Sequence, residues 1–206
     1  TPSRPRVVVF HIETRSMDEF VRSANSVKYP AMQLLLAEGT RGRLRGVMPA
    51  ERMAGLATML SGVNPGKHGI FADVRGWRRA ENGFVAAQVC GEARAPLLGE
   101  ILRRKSLETS LIDTSLVSSV SESPRRIVLE PIPLRRNIQK AQGIDLSKFP
   151  WRDFDLVWLR LNIPSRDDKS LDFQIQVIEN AIRALPKSTS VLVLCPQTFE
   201  RRSKRL

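Results

Sequence analysis

Cysteine, tyrosine and histidine are scarce in this chain of 206 residues, which has two cysteines, one tyrosine and two histidines. Cys90 and Cys195 lie far apart and form no CxxC motif, so a disulfide-rich scaffold is excluded and both are interpreted as buried thiols of a reduced protein. No apolar run approaches the ~20 residues of a membrane-spanning helix. The most hydrophobic runs, Val7–Phe10 and Val191–Leu194, have the length of buried strands.

Acidic residues are also few, with 21 Asp and Glu against 33 Lys and Arg, which gives a net charge of +12 and a pI near 10.8. This excess favours RNA, DNA or an anionic membrane surface as partner, while simple solubility is the alternative explanation. No RNP, KH or zinc signature accompanies it, so contact with a nucleic-acid backbone is expected rather than base readout. The candidate polyanion-binding residues are Arg41, Arg43, Arg45, Arg78, Arg79, Arg103, Arg104, Arg201, Arg202 and Arg205.

Strand-like and helix-like segments alternate along the chain. Apolar runs predict buried strands at 7–12, 109–113, 154–161 and 188–195. Ser16 and Glu19 form a capping box that predicts a helix start, and further helices are predicted at 32–37, 49–61, 96–105 and 168–185. This alternation predicts an α/β fold with a mostly parallel sheet flanked by helices on both faces.

The length and composition predict a single domain over residues 1–206. Within it, residues 115–153 are rich in Ser and Pro and are predicted to be an irregular insertion with a strand at 126–130, and residues 197–206 form a basic tail. Alternation over residues 40–47 predicts an extended segment with three arginines on one face. The sequence Asn64-Pro65-Gly66 predicts a turn.

Three segments in succession carry a family resemblance: Val7–Thr14 at the first strand, Pro30–Gly39 with the pattern PxxxxLxxEG, and Leu60–Phe71 with the turn GxNPGKHGIF. In this order and spacing the chain resembles the type I phosphodiesterase/nucleotide pyrophosphatase branch of the alkaline phosphatase superfamily. The strand, helix and strand over 154–195 fit the same template. The resemblance therefore covers most of the chain except about 115–150 and implies an alkaline-phosphatase-like core.

The resemblance also implies two divalent metals, held by Asp and His, and a Thr or Ser that attacks phosphorus. At the matching positions the chain has other residues. Glu13 stands at a metal-binding Asp, and Arg52, ten residues before Gly62, stands at the nucleophile. Arginine is always protonated and cannot attack phosphorus. The vestigial site positions are Glu13, Arg52, Asn162, Arg166, Pro196 and Gln197.

The two histidines do not replace the missing ligands. His11 lies inside the first predicted strand, and His68 lies in the turn, where the resemblance implies a structural hydrogen bond. We therefore predict no catalytic residue, no metal site and no cofactor in this chain.

The leading hypothesis is a pseudoenzyme that serves as a structural or interaction subunit of a larger assembly, exemplified by an organellar ribonucleoprotein such as a mitochondrial ribosome, or by a respiratory complex. Its expected partners are other subunits and RNA, while contact with anionic lipid stays open. High basicity and a first residue other than Met suggest the mitochondrion, with the cytoplasm as alternative. Two other hypotheses remain: a metal-dependent phosphoester hydrolase with a rearranged or partner-completed site, and a free-standing polyanion-binding module.

Overall fold

The computed structural model describes residues 6–12, 14, 16–44, 46–48, 52–71, 75–80, 83–88, 93–112, 146, 149–161 and 168–195. The chain divides into two compact units. The first comprises residues 1–44, 105–114 and 124–197, and the second comprises 45–104, 115–123 and 198–206. The prediction of one domain is not tested by this division and stays a prediction.

Strands and helices alternate as the sequence predicts. The strands are β1 Arg6–Ile12, β2 Arg75–Ala80, β3 Gly83–Gln88, β4 Thr109–Ile112, β5 Leu156–Leu161 and β6 Thr189–Leu194. The helices are α1 Met17–Ala24, α2 Pro30–Glu38, α3 Arg52–Ser61, α4 Pro65–His68, α5 Leu98–Arg104 and α6 Asp168–Ala184, and a 3-10 turn spans Trp151–Asp153.

The first unit contains a four-stranded sheet of order β4-β5-β1-β6, in which every pair of neighbours is parallel. These are the four strands predicted from the apolar runs. Register pairs Phe10 with Leu159 on one side and with Val193 on the other, so side chains of the same face line up across three strands. The α/β fold class with a parallel sheet and helices is confirmed.

One face of the sheet packs against helices α1, α2 and α6. Phe10 and Ile12 of β1 are fully buried there with Ile175 and Ile178 of α6. The opposite face of the central strands is buried as well, since Val9 and Trp158 are only 3% and 4% exposed. Burial on both faces explains why these strands read as nearly continuous apolar runs.

The last residues of the predicted insertion, which spans 115–153, pack into the core of the first unit. Leu146 and Trp151 are buried in the core of the first unit, and the Trp151 indole N–H donates to the Leu146 carbonyl at 2.9 Å. The predicted strand at 126–130 and the tail 197–206 lie outside the described residues.

The second unit contains helices α3, α4 and α5 and the antiparallel hairpin β2–β3. The sequence patterns did not predict this hairpin. Asn64-Pro65-Gly66, predicted as a turn, is the N-cap and first two residues of the one-turn helix α4. Neither 40–44 nor 46–48 includes a strand, so the alternation over 40–47 does not produce one. None of the helices in the described ranges is both long and apolar enough to cross a membrane.

Candidate functional site

The carboxyl ends of β1, β5 and β6 meet at one edge of the sheet. Ile12 pairs with Leu161, and His11 pairs with Leu194, so the three strands end side by side. Open α/β sheets bind ligands at this edge. Five vestigial positions follow these strands in the sequence but lie outside the described residues: Glu13, Asn162, Arg166, Pro196 and Gln197.

Described residues at this edge tie the end of β6 to the turn after β1. The Thr14 hydroxyl is buried, accepts a hydrogen bond from the Ser16 N–H at 3.4 Å and donates to the Ser16 carbonyl at 3.3 Å. The Cys195 thiol donates to the Thr14 carbonyl at 4.0 Å. Ser16 then caps α1, because its hydroxyl accepts the Glu19 N–H at 3.3 Å as the capping box predicts.

His11, the penultimate residue of β1, is buried in the interior of the first unit. It is 1% exposed, and its ring meets the Trp158 indole edge to face at a centroid distance of 6.2 Å. Its register partner on β5 is Arg160, which is 2% exposed. His11 therefore lies within the sheet, as predicted, and not among the positions that follow the strands.

Helix α3 begins at Arg52, the position that the resemblance assigns to the nucleophile. The helix ends at Ser61 and is followed by Gly62, whose φ of 70° is in the left-handed region that glycine adopts without steric cost. The sequence count that placed Arg52 ten residues ahead of this glycine thus corresponds to one uninterrupted helix.

His68 ends α4 and is fully buried. Its Nδ1 accepts the Ile70 N–H at 3.1 Å, so the proton of the neutral ring is on Nε2, which donates to the Thr58 hydroxyl at 3.0 Å. Burial lowers the pKa of His68 below its ordinary 6.5, in agreement with a neutral ring. The turn-stabilising hydrogen bond expected for His68 is present, and its partner Thr58 on α3 was not anticipated.

The candidate polyanion-binding residues fall in both units. Arg41 and Arg43 are exposed beyond the end of α2, and Arg103 and Arg104 are exposed in the last turn of α5. Arg78 and Arg79 lie on β2, with side chains outside the described part of the structure, and Arg45, Arg201, Arg202 and Arg205 lie outside it altogether. Among described residues, no group of three or more His, Cys, Asp or Glu side chains is placed to hold a metal ion.

A buried carboxylate in the first unit was also missed. Glu179 of α6 is 1% exposed and accepts the Ala31 and Met32 N–H groups at 3.2 and 2.9 Å, and the Arg183 Nε–H at 2.7 Å. It thereby satisfies the free donors at the start of α2, where Pro30 supplies no N–H. The only sequence signal was a Glu inside the apolar stripe of an amphipathic helix.

The fold defines a class: an α/β protein with a parallel sheet in which β1, β5 and β6 end side by side, at the edge where open α/β sheets bind ligands. Residues 13–90 match the family model for type I phosphodiesterase/nucleotide pyrophosphatase. That range includes Arg52, Gly62 and His68.

Among solved structures, the chain is similar to murine ectonucleotide pyrophosphatase/phosphodiesterase 5, an inactive variant in complex with AMP. The TM-score is 0.58 at 12% sequence identity, and the match covers 92% of this chain and 56% of that chain. The present chain thus spans little more than half the length of that protein. No match was found among curated protein sequences.

These findings confirm the resemblance. Residues 13–90 are similar to type I phosphodiesterases/nucleotide pyrophosphatases, and the fold is alkaline-phosphatase-like.

Proposed function

We propose that this chain is a catalytically inactive, alkaline-phosphatase-like domain that serves as a structural or interaction subunit of a larger assembly. The observation that most supports this proposal is the arginine at the start of α3. Helix α3 is bonded to the GxNPGKHGIF turn through the Thr58–His68 hydrogen bond. The position on this helix that the resemblance assigns to the nucleophile is nevertheless occupied by Arg52.

The chemistry of arginine gives this substitution its weight. A nucleophile must offer a lone pair to phosphorus, whereas the guanidinium stays protonated at physiological pH and offers only donors. A positive charge at this position binds a phosphate oxygen well but does not form a covalent intermediate. We therefore propose that this domain can bind a phosphate group but does not hydrolyse its ester.

Both histidines have other roles, which further supports the proposal. A two-metal hydrolase needs neutral imidazoles free to coordinate. His68 uses both ring nitrogens within the second unit, and His11 lies inside the sheet against Trp158. With two histidines in the whole chain, neither is left at a position that the resemblance assigns to a metal.

The proposed partners follow from the charge. A net charge of +12 and exposed arginine pairs at 41/43 and 103/104 suit an anionic partner, and we propose structured RNA within an organellar ribonucleoprotein. Placement in the mitochondrion is part of the same proposal. Affinity for RNA should then fall steeply with salt, because each neutralised phosphate releases counterions.

The activity test compares the purified chain with its Arg52→Thr variant. We expect neither to hydrolyse a nitrophenyl phosphate ester or a nitrophenyl nucleotide diester, with or without added zinc or manganese, because nucleophile and metals act as a unit and restoring one restores little. Arg22→Thr on the exposed side of α1 is the matched control. Chelator-sensitive hydrolysis by the unmodified chain would overturn the proposal.

The alternative function is a phosphoester hydrolase completed by another chain. The family match over residues 13–90 favours it, and the similar murine protein, although an inactive variant, is in complex with AMP. Activity that appears only in the native complex, and disappears when this chain carries Arg52→Ala, would favour this alternative. A free-standing polyanion-binding module would instead elute alone in gel filtration of native material and still bind RNA.

A further inference from the structure

Helix α2 is apolar nearly all round, although one side of it faces outward. Its sequence PAMQLLLAE contains Gln33 and Glu38 as the only polar residues. The inner side packs on the core, with Met32 1% exposed and Leu35 and Leu36 partly buried. A surface helix ordinarily has polar residues on its outer side. Here the outer side presents Leu34, which is 57% exposed, together with the exposed Pro30 and Ala37.

The exposed apolar side chains continue past both ends of the helix. Val27, just before α2, is 90% exposed, and Leu44, beyond its end, is 56% exposed. Single exposed aliphatic residues are normal on protein surfaces, but several along one helix and its flanking segments mark an interaction site. We call this set the α2 surface: Val27, Pro30, Leu34, Ala37, Arg41, Arg43 and Leu44.

The charge of the α2 surface is positive. Arg41 and Arg43 are exposed, and neither forms an ion pair with another described residue, while the sequence has no acidic residue between Glu38 and Glu51. At Gly42, between the two arginines, an added Cβ would meet no atom within 4 Å. The backbone there stands clear of its surroundings, so both guanidinium groups are accessible to a partner.

The combination of aliphatic and cationic groups decides between partners. RNA would use the arginines, but single-stranded bases stack on aromatic rings and on guanidinium planes rather than on Val or Leu. An anionic bilayer uses both: aliphatic side chains enter the boundary between headgroups and acyl chains, and arginines meet the lipid phosphates. Helix α2, about 14 Å long, would lie along the membrane surface.

We infer that the α2 surface attaches this chain peripherally to an anionic lipid bilayer. The inference goes beyond the proposed function and does not depend on it, because membrane attachment is compatible with an active or an inactive domain. It also adds a second anionic partner for Arg41 and Arg43. A bilayer would contact them together with the exposed Val27, Leu34 and Leu44, whereas RNA would contact the arginines alone.

Vesicle flotation of the full chain tests this. We expect the chain to float with vesicles of phosphatidylcholine and phosphatidylserine, and to stay unbound with phosphatidylcholine alone. Leu34→Ser should lower partitioning about fivefold through lost apolar burial. The pair Arg41→Gln and Arg43→Gln should lower it about tenfold, with the remaining binding less sensitive to salt.

Two control variants match these changes elsewhere on the surface. Leu192→Ser removes an aliphatic side chain that is 47% exposed on β6, and Arg103→Gln with Arg104→Gln removes two exposed charges on α5. Both should partition as the unmodified chain does, and circular dichroism should show every variant folded.

Three outcomes would overturn the inference. The first is no flotation with anionic vesicles. The second is that vesicle binding falls when either arginine pair, 41/43 or 103/104, is replaced, while Leu34→Ser has no effect. That result would indicate general adsorption of a basic protein. The third is RNA binding that needs Arg41 and Arg43 while vesicles are ignored, which assigns the surface to nucleic acid.

Discussion

In each unit of the molecule a buried titratable side chain, Glu179 or His68, joins a helix to a neighbouring helix, and the two do so in opposite ways. In the first unit, the Glu179 carboxylate of α6 accepts two N–H groups from the start of α2 and one from Arg183. In the second unit, the neutral His68 ring accepts the Ile70 N–H and donates to Thr58 of α3. One is an acceptor only, and the other must be donor and acceptor at once.

The difference shows which chemistry each unit tolerates. A carboxylate at a helix start gains from the free N–H groups and from the positive end of the helix dipole. A histidine that uses both nitrogens works only in its neutral form, because protonation would place a second donor against the Ile70 N–H. The hydrogen bonds of His68 are therefore sensitive to mild acid.

Glu179→Leu should give the largest effect. Leucine keeps the shape but leaves the Ala31 and Met32 N–H groups without an acceptor, at a cost of about 2–4 kcal/mol in the free energy of unfolding. Urea denaturation followed by circular dichroism measures it. The control, Glu38→Gln at the exposed end of α2, should change stability by less than about 0.5 kcal/mol. Equal effects of the two variants would contradict a stabilising role for the hydrogen bonds that Glu179 accepts from Ala31 and Met32.

His68→Leu should cost about 2 kcal/mol, because two hydrogen bonds are lost and the Ile70 N–H is buried. Since burial lowers the pKa of His68 below 6.5, the unfolded chain takes up a proton before the folded chain does. The stability that neutral His68 contributes is fully present above 6.5, the pKa of the unfolded chain. It is lost as the pH falls through the lower pKa of the folded chain.

The measurement is the free energy of unfolding of both proteins from about pH 7.5 to about pH 5. The unmodified chain should lose stability over this range relative to His68→Leu, so that the gap between the two narrows. A constant gap would show that the ring does not titrate with folding. Asp172, whose pKa is lowered by hydrogen bonds from Lys28 and Tyr29, acts below its ordinary 3.8 and leaves this window clear.

Gly69→Ala should have the smallest effect, about 1 kcal/mol, because its φ of 78° is in the left-handed region. The new Cβ would also lie 3.2 Å from the Arg94 side chain, which is exposed and able to move aside. Gly42→Ala, in open space without a positive φ, should cost nothing. Thermal unfolding of the two alanine variants makes the comparison, and matching midpoints would remove the strain argument.

Much of this fold could be predicted from the sequence because its elements have strong local signals. Short sequence patterns were enough to predict three of them: the apolar run of β1, the Ser16 cap of α1 and the apolar stripe of α6. The hairpin β2–β3 was missed because the arginines of β2 interrupt any alternation, although Asn82-Gly83 is a hairpin signal.

The candidate site was harder, since its parts are joined by long-range contacts. Counting from Gly62 assigned Arg52 to the nucleophile position. The count could be made from the sequence because a single helix, Arg52–Ser61, separates the two positions. The pairing of His11 with Arg160, and of Glu179 with the start of α2, depends on register and packing between segments far apart in the sequence. Sequence patterns give no distance between such segments.

The order of strands in the sheet has a consequence for how the chain is made. β1 is synthesised well before the strands that it pairs with, since Val7 pairs with Leu156 and Ser190. At typical rates of translation, about ten to thirty seconds pass before those partners emerge. Helices α3 and α4, whose contacts are local, can form in the meantime. During that interval the apolar segment Val7–Phe10 has no partner strand of this sheet, so we expect it to be prone to aggregation until residues 156–194 are made.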